Sequence, residues 1–291
     1  MVIKFFLNSS VLVLIFFQMV MSEPADTSYW DARLIRSYVH NSDLQRRWAF
    51  SFIASHLKQL HGNEHILDIG CGDGKITADI AKFVPEGSVV GIDLSEPMIE
   101  WAQKQYHPLE YSNLSFQVGS FLEPNIQGQF DLIVSFCALQ HSFDQQKALS
   151  NLANLLKPNG KLLILIPTRN NQAWNNARAT TQSRPKWAGY WQNVAPRKSF
   201  SAQQYAEFLE RANLLCISIE TINTLDPFID KNEIVEWLCG TFAPAVPVEE
   251  MREFYSEWIE EYVRLAPDAQ KSDGVVYAAL GYTAMVAMRK F

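Results

Sequence analysis

A short stretch between positions 66 and 75 contains an acid followed by glycine at every second position. The apolar run Ile66–Ile69 contains one acid, Asp68, and is followed by Gly70, Gly72 and Gly74. Glycine lets the backbone adopt conformations closed to other residues and lets a ligand approach the chain closely. A helix that begins after such a turn directs its free amide groups at that ligand. The stretch therefore predicts a loop that binds a nucleotide-like cofactor at the end of a strand.

The spacing of the glycines separates two cofactor classes. The dinucleotide fingerprint G-x-G-x-x-G requires a glycine at position 75, which is occupied by Lys75. A nicotinamide-dependent dehydrogenase is therefore disfavoured. The spacing G-x-G-x-G, preceded by an acid, resembles motif I of the class I S-adenosylmethionine (SAM) methyltransferases. This resemblance implies SAM as cofactor and the following binding residues: Asp68, Gly70, Cys71, Gly72 and Gly74.

A second apolar run, Ser88–Asp93, ends in an acid 19 residues after Gly74. A carboxylate at the end of this strand holds both ribose hydroxyls in other nucleotide-binding α/β sheets. A helix-capping or turn acid is the alternative interpretation of Asp93. The segment that begins at Asp93 resembles the family's motif II, which implies that Leu94 and Met98 flank the adenine. Packing in the core is the alternative for these two residues.

The next two strands carry weaker cofactor signals. Family members often have Asp or Asn after a glycine that follows strand three, whereas this chain has Ser120 followed by Phe121. Ser120 is shorter and uncharged, so either it makes a weaker contact with the adenine or another residue makes that contact. Strand four, Gln129–Phe136, resembles motif IV, and we expect Ser135 and Phe121 to lie on the cofactor side.

A histidine follows strand four, where family members commonly place an aromatic residue or histidine that faces the methyl group. His141 is the candidate catalytic residue of this chain. Methyl transfer is a direct displacement at a sulfonium carbon, and an ionised carboxylate acceptor needs no base. A hydroxyl acceptor does need one, and His141 could supply it. Positioning the acceptor, or plain packing, are the alternatives for His141.

The elements around these motifs alternate between strands and helices. This alternation predicts an α/β fold with a doubly wound, mostly parallel sheet. The resemblance implies seven strands, of which the last, Val275–Met288, is antiparallel at the sheet edge. Two sequence patterns, Ser42-x-x-Gln45 and Ser201-x-x-Gln204, predict capping boxes at the start of helices. The ligand crevice is expected at the carboxyl ends of the strands.

The segment before the first strand is rich in aromatic residues. In related methyltransferases this segment often closes over the cofactor, which makes four residues lid candidates. They are Trp30, Tyr38, Gln45 and Trp48. Ordinary packing of the leading helix, which is predicted from Ser42 to about Leu60, is an equally good interpretation of each.

Residues 169–198 form a basic, aromatic stretch that contains no acid. We expect a long loop, and a loop of this length usually has a task. One interpretation is an aromatic cap over an anionic small-molecule acceptor. The other is a solvated basic loop whose aromatic side chains cover the sheet. The cap candidates are Trp174, Arg178, Trp187 and Trp191.

A short string near the C-terminus points to a subfamily. The string Ile234–Thr241 is similar to a Val-Glu-Trp-x-x-Gly-Thr string of trans-aconitate methyltransferases, and the core looks like that of juvenile-hormone acid methyltransferases. Both esterify small carboxylic acids, which predicts a transferase of the EC 2.1.1 type that O-methylates a small organic acid. An amine, phenol or carbon acceptor, or a SAM-binding protein without catalysis, are the alternatives. Aromatic residues on the helix Glu249–Val263 are expected in the core.

Composition excludes some functions and leaves the compartment open. The net charge is −6 with no long basic run, so no nucleic-acid partner is expected. The four cysteines lack zinc-site spacing, which predicts no metal and reduced thiols in a cytoplasmic catalytic domain. The oligomeric state cannot be predicted.

The N-terminus points to a different compartment. Lys4 precedes the apolar run Val11–Phe17, which predicts a secretion signal. A short membrane anchor, or translation from Met19 or Met21, are the alternatives. Membrane association is expected only if this segment is a retained anchor. The chain thus divides into a signal-like segment (1–22), a lid with the leading helix (23–60), a SAM-binding core (61–168) and a substrate cap with C-terminal strands (169–291).

Overall fold

A seven-stranded sheet organises the computed structural model, which describes residues 32–168, 171–192, 194, 199–242 and 245–290. The strand order is β3-β2-β1-β4-β5-β7-β6. Strands β1 to β5 are parallel, and β7 is antiparallel to both β5 and β6. The doubly wound sheet and its antiparallel last strand are therefore confirmed. The predicted edge position of the last strand is wrong, because β7 lies between β5 and β6 and β6 forms the edge. The signal-like segment and Trp30 lie outside the described residues.

The strands are β1 (His65–Ile69), β2 (Ser88–Asp93), β3 (Leu114–Val118), β4 (Phe130–Phe136), β5 (Leu156–Pro167), β6 (Leu214–Phe228) and β7 (Val276–Arg289). The helices are α1 (Ala32–Asn41), α2 (Asp43–Leu57), α3 (Lys75–Ala81), α4 (Glu96–Gln105), α5 (Gln145–Leu155), α6 (Gln172–Gln182), α7 (Pro185–Trp191), α8 (Ala202–Arg211), α9 (Lys231–Thr241) and α10 (Met251–Leu265). None of the helices in the described ranges is long and apolar enough to cross a membrane.

Both faces of the sheet are covered, so the central strands are apolar on both sides. Ile66 of β1 and Val134 of β4 belong to a core that also includes residues of α2, α3, α9 and α10. Leu67 and Ile133, their neighbours in sequence, belong to a second core with α5 and α8. Successive side chains of a strand point to opposite faces. The sheet therefore separates two cores, and the carboxyl ends of its strands stay open for a ligand.

Local capping signals were predictive where no tertiary contact competes for the side chain. The Ser201 capping box is present, and Ser95 caps α4 through the Met98 amide. The Ser42 capping box is wrong, because Ser42 makes no capping hydrogen bond. Its hydroxyl instead donates to Asp73 at 2.9 Å, and the Gln45 amide oxygen accepts from the indole of Trp237.

The basic stretch is helical rather than the predicted long loop. It contains α6, which the side chain of Asn171 caps, and α7, which begins at Pro185. The acids that balance its charge come from α10, about 70 residues further along the chain. The Arg184 guanidinium bonds to Glu257 at 2.5 Å, and Lys186 pairs with Glu253. These two glutamates lie too far along the sequence for a local pattern to indicate the ion pairs.

Strand β6 is long and runs from Leu214 to Phe228. It lies at the edge of the sheet, where alternate residues are exposed and polar side chains carry no penalty. Its last residues include Asp226 and Pro227, both of which are typical of strand edges. The aromatic residues of α10 are buried, as predicted: Phe254, Tyr255, Trp258 and Tyr262.

Helices α1 and α9 approach each other closely at Gly240. A Cβ atom at this position would lie 2.8 Å from the Ser37 carbonyl oxygen. Gly189 in α7 is a matched case, because a Cβ there would meet nothing within 4 Å.

We expect Gly240→Ala to destabilise the protein by about 1–3 kcal/mol through overpacking. Gly189→Ala should stabilise it by up to about 1 kcal/mol through helix propensity. Denaturant unfolding of both variants checks this. Equal effects of the two substitutions would contradict the close contact between α1 and α9.

Candidate functional site

The loop after β1 depends on glycine at three positions. Gly70, Gly72 and Gly74 have φ angles of +79°, +54° and +78°, a region that other residues rarely adopt. A Cβ at Gly70 would lie 2.2 Å from the Ala138 side chain, which follows β4. A Cβ at Gly74 would lie 2.7 Å from the ring of Phe116 on β3. The loop therefore packs against β3 and the segment after β4, and its residues Gly70, Cys71 and Asp73 line the crevice.

Asp93 faces this loop from the end of β2. One carboxylate oxygen accepts from the Gly72 amide at 3.0 Å, and the other accepts from the Ser95 amide at 2.9 Å. These two amides fix the orientation of the carboxylate. Each oxygen has further lone pairs that can accept from a ligand hydroxyl. Burial raises the pKa of Asp93, although its backbone hydrogen bonds act in the opposite direction.

Asp93 is one of three acids around the glycine loop; Asp68 and Asp73 are buried, and Asp93 is half-buried. Asp68 accepts a hydrogen bond from the Thr77 hydroxyl at 2.7 Å, and burial raises its pKa to about 7. Asp73 accepts from Ser42, and burial raises its pKa as well. Nearby carboxylates raise the pKa of Asp68 further. Such a cluster is costly to ionise without a counter-charge, so it favours a cationic ligand and disfavours a pyrophosphate.

The crevice is covered by α1 and the start of α2. Ring atoms of Tyr38 lie 3.2–3.5 Å from the position that a Gly72 Cβ would occupy. Burial, followed by the charge of Asp73, raises the pKa of Tyr38 well above its usual value. The residues that line the crevice are Tyr38, Ser42, Gln45, Arg46, Asp68, Gly70, Cys71, Asp73, Lys75, Ile76 and Phe136.

The lid candidates thus divide into two groups. Tyr38 and Gln45 line the crevice. Trp48 is buried deeper, with its indole donating to Asp226 at 3.3 Å and its ring 5.6 Å from that of Tyr282. Trp48 therefore joins α2 to the C-terminal strands.

The predicted adenine contacts are not among the residues that line the crevice. Leu94 is 44% exposed, whereas Met98 is 3% exposed and belongs to the core. The hydroxyl of Ser120 accepts from the Glu123 amide at 3.0 Å and closes a local turn. Phe121 lies beside Gly70, with a ring atom 3.9 Å from where its Cβ would be. These contacts with adenine stay predictions.

Ser135 and His141 are not among the residues that line the crevice. Asp68 and Phe136 face the core that includes α2, whereas Ser135 alternates to the opposite face of β4. Ser135 therefore lies across the sheet from the crevice lining. His141 is exposed and ends a single 3-10 turn, Leu139–His141, after β4. Its role in catalysis stays a prediction.

The predicted acceptor cap is a packed aromatic layer. Trp174 and Trp187 are buried, and the ring of Trp174 lies 5.0 Å from that of Trp258 on α10. The Arg178 guanidinium lies over the rings of Trp191 and Trp258, at 5.9 Å from each. Cations are attracted to aromatic faces at such distances. The cap therefore holds a guanidinium between two indoles.

Several crevice residues were not predicted from the sequence. Asp73 lies within the glycine loop itself, and its acidic side chain was an available signal. Ser42 was predicted only as a helix N-cap, and Lys75 was used only as evidence against a dinucleotide-binding motif. No group of three or more His, Cys, Asp or Glu residues within the described ranges could hold a metal ion. All four cysteines are free thiols.

Comparison with known proteins agrees with the geometry of the glycine loop. The family described as "Methyltransferase domain" matches residues 60–213, just over half of the chain. A trans-aconitate 2-methyltransferase of Deinococcus radiodurans is 29% identical over 60% of this chain and 68% of its own length. A juvenile hormone acid O-methyltransferase of Bombyx mori is 30% identical over 44% of this chain. The chain spans about half the length of that relative, 48%.

Solved structures share the fold at low sequence identity. The YcgJ protein of Bacillus subtilis has a TM-score of 0.56 and 18% identity, covering 82% of this chain and 98% of its own. A phosphoethanolamine N-methyltransferase of Haemonchus contortus, bound to S-adenosylhomocysteine, has a TM-score of 0.53 and 19% identity. It covers 82% of this chain and 52% of its own. These likenesses show the fold.

The raised pKa of Asp68 predicts a pH dependence of stability in the ligand-free protein. The folded state holds a proton up to about pH 7, whereas an ordinary aspartate loses it near 3.8. The folded state therefore binds more protons in this interval, and the unfolding free energy contributed by Asp68 falls as the pH rises through it.

We expect Asp68→Asn, which still accepts the Thr77 hydrogen bond, to remove this contribution. The difference in unfolding free energy between variant and wild type should grow from acidic pH to about 7 in favour of the variant. Urea unfolding at several pH values measures it. A constant difference across this range would show that Asp68 is ionised throughout.

Proposed function

Since the chain belongs to the methyltransferase domain family, we propose that it transfers a methyl group from SAM to a small molecule. We further propose that the accepting group is the carboxylate of an organic acid. The observation that carries the first proposal is the glycine loop with its three acids: Asp68 and Asp73 line the crevice, and Asp93 accepts from the Gly72 amide. SAM offers this crevice a sulfonium and an ammonium group, whereas a dinucleotide would bring a pyrophosphate to the same acids.

The residues of the crevice fit SAM in distinct ways. Asp93, oriented by two backbone amides, is suited to accept from the ribose hydroxyls. The loop from Gly70 to Gly74 allows close approach of the nucleoside. Asp68 and Asp73 provide negative charge for the amino-acid end. Ionisation of these acids becomes less costly when a cation lies beside them.

The chemistry requires little from the protein beyond placement. SAM supplies an activated methyl group, so the protein holds donor and acceptor in line and excludes water. Tyr38 on α1 covers the loop and contributes to that exclusion. A carboxylate is already ionised near neutral pH, so no side chain needs to remove a proton. His141, exposed after β4, is then available to position the acceptor.

Two features support a carboxylate acceptor. Relatives of this chain are named trans-aconitate 2-methyltransferase and juvenile hormone acid O-methyltransferase. In the cap, the Arg178 guanidinium lies 5.9 Å from the ring centres of both Trp191 and Trp258. A guanidinium binds carboxylates in a bidentate manner. We therefore assign the recognition of the acceptor carboxylate to Arg178.

Incubation of the full chain with methyl-labelled SAM tests the proposed reaction. The acceptor panel pairs each organic acid with its amide, and adds amines and phenols. We expect label only with the acids, in a product that mild alkali cleaves to labelled methanol, because methyl esters are alkali-labile. Asp93→Ala should lose transfer by weakening SAM binding.

The outcomes of this assay separate the alternatives. Alkali-stable label on amines or phenols would overturn the carboxylate proposal and retain methyl transfer. SAM binding by calorimetry without label on any acceptor would favour a non-catalytic SAM-binding protein. No heat with SAM would contradict the cofactor itself.

Arg178→Gln tests the recognition of the acceptor. We expect KM for the acid acceptor to rise about 10- to 100-fold, the range for one lost charged hydrogen bond, with KM for SAM little changed. Arg184→Gln is the matched control, because it removes a charge from the same cap that pairs with Glu257. It should lower stability and leave the acceptor KM near wild type. A similar rise in both variants would place Arg178 in a structural role.

A further inference from the structure

Lys75 occupies an unusual position for a cation. It is the first residue of α3, where the positive end of the helix dipole disfavours a positive charge. Its ammonium group extends away from α3 and donates to the Val39 carbonyl and, at 3.0 Å, to the Ser42 hydroxyl. Asp43 lies 3.3 Å and Asp73 3.8 Å from the same nitrogen. The side chain thus links the glycine loop with the junction of α1 and α2.

The Val39 carbonyl is a suitable acceptor because of its place in α1. That helix ends at Asn41, and the last four carbonyls of a helix have no partner within it. A cation at this end also interacts favourably with the helix dipole. Lys75 therefore acts as a C-terminal cap for α1 that comes from the cofactor loop.

The helix that Lys75 caps is the one that covers the crevice. Tyr38 immediately precedes Val39 and places its ring against Gly72. On its other side, α1 packs on α9, where Gly240 lies against Ser37. The contacts of Lys75 therefore act on the turn of α1 that lies over the glycine loop.

A second bond strengthens the same link. The Ser42 hydroxyl donates to Asp73 at 2.9 Å while it accepts from Lys75. Ser42 and Asp73 are both buried, so these hydrogen bonds are shielded from water. Charge-assisted hydrogen bonds of this kind are stronger than neutral ones. The loop and the lid are thus joined by a network that spans three elements.

We propose that Lys75 is a positioning residue that fastens α1 over the glycine loop and thereby sets the affinity for the cofactor. It acts through the lid and does not touch the reacting atoms. This inference rests on the proposed function, in which the crevice binds SAM. Lys75 occupies the position where the dinucleotide fingerprint has glycine, and the proposal gives it a role in the cofactor site.

The test compares Lys75→Met with Lys82→Met in the full chain. Lys82 follows the other end of α3, and its ammonium pairs with Asp79 at the surface. We expect Lys75→Met to raise Kd and KM for SAM about 10- to 100-fold, as for a lost charged hydrogen bond, with kcat at saturating SAM within about twofold. Hydrogen exchange of residues 35–41 should quicken without SAM. Lys82→Met should match the wild type in each measurement.

Ser42→Ala provides a second variant in case Lys75→Met does not fold. It removes the bond to Asp73 and one acceptor of Lys75, so KM for SAM should rise with kcat retained. The inference is overturned if folded variants bind SAM as the wild type does, or if kcat falls together with the melting temperature while KM stays constant. Failure of the wild type to bind SAM would instead overturn the proposed function.

Discussion

Three carboxylates around one loop, two of them buried and one half-buried, are the constraint on which the site depends. Asp68, Asp73 and Asp93 approach the glycine backbone from β1, the loop itself and β2, and burial raises the pKa of each. Their ionisation in the absence of a ligand costs free energy, which Thr77, Ser42 and backbone amides offset only in part. The arrangement lowers stability at a functional site, a common exchange in natural proteins. It also defines the charge of the ligand that the crevice can hold.

The backbone of the loop makes this arrangement possible. Gly70 and Gly74 leave no room for a side chain, because Ala138 and Phe116 occupy that space. The strand ends therefore approach within contact distance, and the acids converge on one small volume. The lid meets the same loop through Tyr38, so cofactor loop, strand ends and α1 form one packed unit. The aromatic cap shares one hydrophobic core with this unit, and ion pairs of Arg184 and Lys186 join it to α10.

Sequence patterns predicted the structure correctly where the interacting residues are close together along the chain. The glycine loop and the helix cap at Ser201 are both local features. Predictions were wrong where a side chain forms a hydrogen bond with a residue that is distant in the sequence. Ser42 bonds to Asp73, 31 residues away, and Gln45 to Trp237, 192 residues away, so no capping box forms. The two helices in the basic stretch were missed because their counter-charges lie on α10.

The acidic crevice also has a consequence for the end of the catalytic cycle. In the proposed reaction the spent cofactor leaves as a neutral thioether, having given up its positive sulfur centre. In this proposal the by-product keeps the ribose assigned to Asp93 and the ammonium group assigned to Asp68 and Asp73, so it loses only the attraction between the acids and the sulfonium charge. That single lost charge would favour the exchange of used for new cofactor.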